Sequence, residues 1–99
     1  MLRPIFASLI VLVLTAPVKG GVVERACMAA GRAAASPNLC GCIQQVADLK
    51  LRNAEQRKAA GFFRNPHKAQ ETRQSSRSSD QSFWERYKAF GAAAETYCS

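Results

Sequence analysis

The chain of 99 residues is poor in several features that announce function, and each shortage removes a class of protein. Its only sustained apolar run, Ile5 to Leu14, spans ten residues. As a helix that run reaches about 15 Å at 1.5 Å per residue, against a hydrocarbon core of about 30 Å. A multi-span membrane protein is excluded. There is one histidine, His67, and no Cys-x-x-Cys pair, so zinc-ligand spacing and a thioredoxin-type redox motif are both missing. No glycine-rich phosphate loop and no serine nucleophile elbow occur. Acids number seven against fourteen lysines and arginines, and most acids have a base within two residues, adjacent in Glu24-Arg25 and Glu85-Arg86. Paired catalytic carboxylates are therefore not expected. No apolar–polar alternation follows the N-terminal run, which argues against sheet.

What is present begins with an export signal. Arg3 and the amino terminus give a positive start, Ile5 to Leu14 the apolar core, and Thr15 to Gly20 a small-residue exit. This is the layout of a cleavable secretory signal. The preferred cut falls after Gly20, which makes residues 1–20 the signal and 21–99 a single domain exported to the periplasm or beyond. Cys27 follows Glu24-Arg25-Ala26, the wrong context for a lipid anchor.

A domain of about 79 residues buries a thin core and needs reinforcement. Cys27, Cys40, Cys42 and Cys98 all lie in it. An even cysteine count in a short exported chain reads as a disulfide framework. A bridge between Cys40 and Cys42 across Gly41 is strained. Two pairings remain open: Cys27–Cys40 with Cys42–Cys98, or Cys27–Cys42 with Cys40–Cys98.

Periodicity after Gly20 predicts an all-α fold, a small bundle of three to four helices stapled by two disulfides. Val22 to Ala35 forms a first helix, weakened at Gly31, and Ser36-Pro37-Asn38 a turn. Cys42 to Ala60 reads as the second helix, stopped at Gly61. Asn65-Pro66 caps and opens a short polar helix to Gln74. The last helix starts near Ser79, Asp80 or Ser82 and carries Phe83, Tyr87, Phe90, Ala94 and Tyr97 on one face, expected to be core.

Of the net charge of +7, Arg3 and Lys19 carry two, leaving about +5 on the exported domain. That excess suits an acidic protein or the anionic envelope surface rather than nucleic acid. The corner Phe62 to Glu71 mixes aromatics and bases. Its residues Phe63, Arg64, His67 and Lys68, with Arg73, form the candidate ligand or partner surface, and Arg77, Arg86 and Lys88 could extend it as a basic rim. His67 itself reads as a surface histidine. Neither a metal nor a cofactor is expected, and the domain reads as a non-catalytic interaction module. Thiol redox or metal handling by Cys40 and Cys42 is the chemical alternative.

Several stretches together resemble a family of short exported proteins from alphaproteobacteria. They are Glu24-Arg25-Ala26-Cys27, Leu39-Cys40-Gly41-Cys42 through Asp48, Phe62 to Glu71, Ser79-Asp80, Phe83-Trp84 through Tyr87, and Phe90-Gly91. Members often carry the label arginine transporter. The resemblance implies an accessory or solute-binding part in arginine transport, and it brings no functional residues with it.

Overall fold

The computed structural model of the chain describes residues 21–31 and 35–99. The signal reading of residues 1–20, the cut after Gly20 and the stretch 32–34 lie outside the described residues. Five α-helices and no strand occur among the described residues: α1 Val22–Ala29, α2 Pro37–Lys50, α3 Asn53–Arg64, α4 Pro66–Arg73 and α5 Ser78–Cys98. None is long and apolar enough to cross a membrane.

The first helix is short for a local reason. Its N-cap is Gly21, which has no side chain to offer the free amides of the first turn. Gln44 supplies that cap from α2: its Oε1 accepts from the Val23 and Glu24 N–H groups, both at 2.9 Å. The cap fits only because residue 21 is glycine, since a Cβ there would stand 2.3 Å from Gln44 Cδ and Oε1. At the other end Gly31 takes φ +68°, and its N–H closes on Met28 O, so the helix stops where the glycine suggested.

The stretch 36–64 departs from its sequence reading. Ser36-Pro37 is a helix start: Ser36 Oγ accepts from Leu39 N–H at 3.0 Å and Pro37 is the first helical residue. The long second helix is two helices, broken where Leu51 turns extended (φ −125°, ψ 142°). A side-chain network stabilises the break. Gln56 Nε2 shares its two hydrogens among the Ala47 and Leu51 carbonyls and Asp48 Oδ1, tying the first turn of α3 back to the end of α2. The N–H of Arg52, the N-cap of α3, donates to Glu55 Oε1. Gly61 does not end α3, which runs on to Arg64.

Being helical, Cys40 and Cys42 point about 200° apart around α2, at 100° per residue. Each therefore meets a different neighbour: Cys40 bonds Cys27 of α1, and Cys42 bonds Cys98 of α5. The open choice of pairing is decided by which helix lies on each side of α2: α1 brings Cys27 to the Cys40 side and α5 brings Cys98 to the Cys42 side. The loops follow one another rather than nest. Chain entropy assigns about 3 kcal/mol to the first and about 4 kcal/mol to the second.

Val23, Val46, Ala47, Leu51, Ala59 and Phe90 form the buried core where α1, α2, α3 and α5 meet. Phe83 and Phe90 are buried as expected and Tyr87 is half-buried, but Tyr97 is 74 % exposed in the last turn of α5. Phe62 of α3 packs edge-on to Phe83 and Tyr87 and tilts against Trp84. Glu55, itself buried, adds an ion pair from α3 to the more exposed Arg86 of α5. Helix α4 buries no residue and stands as an outer wall beside these two.

Candidate functional site

A helix with no buried residue needs another reason for its position. Asn65 makes the corner that sets it. Its Oδ1 accepts from His67 N–H at 3.2 Å, capping α4, while its own N–H closes α3 on Gly61 O. The chain then folds back through Ser75 into α5. Between α3, α4 and the start of α5 this leaves a cavity of about 690 Å³, within the size range of ligand sites. Phe62 lines its floor with Gly61 beside it.

Five cations line this cavity: Arg57, Lys58, Arg64, Lys68 and Arg77. Only two carboxylates join them, Glu71 and Asp80. Asp80 is held by Lys58 Nζ at 3.2 Å and by Arg77 Nε at 3.5 Å. Its carboxyl sits below the ordinary aspartate range because Ser75 and Lys58 hydrogen-bond it and both cations attract it. Lys58 Nζ also lies 4.7 Å from the Phe83 ring centroid. Glu71 turns to the His67 imidazole at 3.3 Å. Asp80 is thus occupied by two cations, whereas Glu71 faces an imidazole that is charged only when protonated; Arg57, Arg64 and Lys68 hold no ion pair among the described residues and are exposed. Arg57 and Arg64 also border a second, smaller hollow with Arg25 over Val22, Ala26 and Ala60.

The structure divides the surface expected from sequence. Arg64 and Lys68 line the cavity. Phe63 turns inward against the core cluster, and His67 pairs with Glu71 outside the cavity lining. Arg73 reaches Gln70 at 2.9 Å and borders a different hollow with Trp84 and Glu85. Of the extended rim, Arg77 belongs to the cavity, Arg86 is taken by Glu55, and Lys88 by Glu85. Arg57 and Lys58 were missed. Arg57 and Arg64 stand seven residues apart, two turns of one helix face, and that spacing was the available signal once α3 is known to continue past Gly61.

The cavity offers little for covalent chemistry. The Thr72 hydroxyl donates to Lys68 O, and the Ser75 oxygen accepts from Arg77 N–H. All four cysteines are in disulfides, so in this form Cys40 and Cys42 present no free thiol. What the arrangement can do is hold negative charge: unpaired guanidinium groups offer planar, two-pronged donors to carboxylate or phosphate. The chain matches no family model, no curated protein and no solved structure.

Proposed function

We propose that this is an exported, non-catalytic binding module that holds an anionic partner in the cavity between α3, α4 and α5. The observation that carries the reading is the trio Arg57, Arg64 and Lys68, without ion pairs among the described residues, in a concave site that sets five cations against two acids, one of which, Asp80, is held by Lys58 and Arg77. Two disulfides support export, because such bonds persist in oxidising compartments. The lining, five cations against two acids, weighs against a site for free arginine, whose guanidinium it would repel.

The test separates this site from general basicity. The protein purified without reductant is eluted by salt from a heparin matrix, a stand-in polyanion. A variant with Arg57, Arg64 and Lys68 all changed to Gln is compared with one in which Lys50, Arg73 and Lys88 are changed to Gln. Both lose three charges. Earlier elution of the first variant alone supports the cavity. Equal elution of the two shows that only net charge matters and refutes the reading.

A further inference from the structure

The anion-binding reading leaves the class of partner open, and the layout of the cavity narrows it. Arg57, Gly61 and Arg64 follow one another at intervals of four and three residues, so they share one face of α3. The two arginines are separated by about 10 Å along the axis, at 1.5 Å per residue. Between them the helix has a notch: a Cβ on Gly61 would meet nothing within 4 Å. Phe62 lines the same cavity, giving the notch an aromatic neighbour. Lys68 adds a further cation to the cavity from α4, past the Asn65 corner.

A single phosphate would favour cations converging on one point. Here positive charge is strung out with an apolar gap in the middle. An extended polypeptide has the complementary pattern. Its alternate side chains face one way, and its first and fifth residues lie about 13 Å apart at 3.3 Å per residue. The long arginine side chains can splay to cover the difference from 10 Å. Acidic residues at the first and fifth positions would then meet Arg57 and Arg64, and an apolar side chain at the third would enter the Gly61 notch.

We infer that the cavity's partner is an extended acidic segment of another exported protein, with two carboxylates four residues apart around a central apolar side chain. This rests on the anion-binding reading and adds pattern to it. Binding is measured by fluorescence polarisation with a labelled, end-blocked pentapeptide carrying glutamates at both ends and phenylalanine at the centre, in a glycine–serine background. One control peptide has adjacent glutamates, and another has alanine for the phenylalanine.

The patterned peptide is expected to bind at least fivefold more tightly than either control. Gly61→Leu fills the notch and is expected to abolish the preference for phenylalanine while salt-dependent binding persists. Gly61→Ala replaces it if the leucine variant loses helical circular dichroism. The inference is overturned if the controls bind equally, if both Gly61 variants keep the phenylalanine preference, or if pyrophosphate or phosphatidylglycerol vesicles bind the site more tightly than the peptide. If these fail while heparin elution still depends on the cavity trio, only the peptide inference falls. If elution is also independent of the trio, the anion-binding reading falls with it.

Discussion

Replacing Gln44 by Met removes a hydrogen-bonding hub at almost no change in shape. The side-chain amide of Gln44 has two acceptor and two donor positions, and four bonds occupy them. Oε1 takes the Val23 and Glu24 amides, while Nε2 gives to Asp48 Oδ1 at 2.9 Å and to Gln56 Oε1 at 2.8 Å. Methionine leaves the Val23 N–H without its partner beside a fully buried side chain, and the Gln56 Oε1 without its donor in a residue only 6 % exposed. An orphaned buried polar group costs about 1–3 kcal/mol. Two such groups, plus the partly buried Glu24 amide, bring the loss to about 3–5 kcal/mol. A loss of 3 kcal/mol lowers Tm by roughly 12–24 °C in a domain of this size. Urea unfolding without reductant gives the free energy, and an unchanged m-value certifies the comparison. Amide exchange at Val23 and Glu24 reports the cap directly. Gln44→Glu keeps both acceptors, so it is expected to retain protection at those amides while losing the Gln56 bond. A loss below about 1 kcal/mol for Gln44→Met, with exchange at Val23 and Glu24 unaltered, would refute the capping argument.

Three more outcomes follow from the same contacts. Burial raises the Glu55 pKa, but the Arg86 hydrogen bond, the Arg52 amide and both arginine charges together outweigh it and hold the pKa below 4.5. The unfolded chain then binds more protons across that window, so Glu55 stabilises the fold above about pH 4.5 and the contribution fades as pH falls through the lower native value. Glu55→Gln is expected to lose stability at pH 7 and to converge on the parent protein in acid, and a gap that widens on acidification would contradict this. Replacing Cys42 and Cys98 together by Ser is expected to cost about 4 kcal/mol from the longer loop. Urea midpoints should show this, and no loss would mean the unfolded chain is not constrained by that bridge. Gly21→Ala drives a methyl into Gln44, so it should lower Tm and speed exchange at Val23. A neutral result would mean Gln44 can move aside without losing its bonds.

Helix content, the short polar α4 with its Asn65-Pro66 start, the aromatic face of α5 and the stopping power of Gly31 were all legible, because each rests on neighbours within a turn or two. The break at Leu51 was not. Nothing local in Ala47 to Gln56 forbids continued helix; Gln56 folding back onto the carbonyls of Ala47 and Leu51 makes the interruption tolerable. Of the five residues expected at the candidate surface, two line the cavity, for the same reason. Arg64 and Lys68 were found as charges near a corner, but inward and outward faces cannot be separated there until the packing of α3 against α1 and α5 is known. Phe63 went to the core and Arg57 to the cavity on that account.

The sequence by itself determined the helical periodicity, the excess of positive charge and the presence of enough cysteine to reinforce a thin core, since these depend only on residue type and spacing. Tertiary structure alone decided which cysteines pair, which polar side chains cap a helix they do not belong to, and which cations are left uncompensated. The physical reason is that each of these depends on direction: Cys40 and Cys42 face opposite ways around α2, Gln44 reaches across to α1, and Asp80 lies close enough to pair with Lys58 and Arg77 but is not paired with Arg57, Arg64 or Lys68.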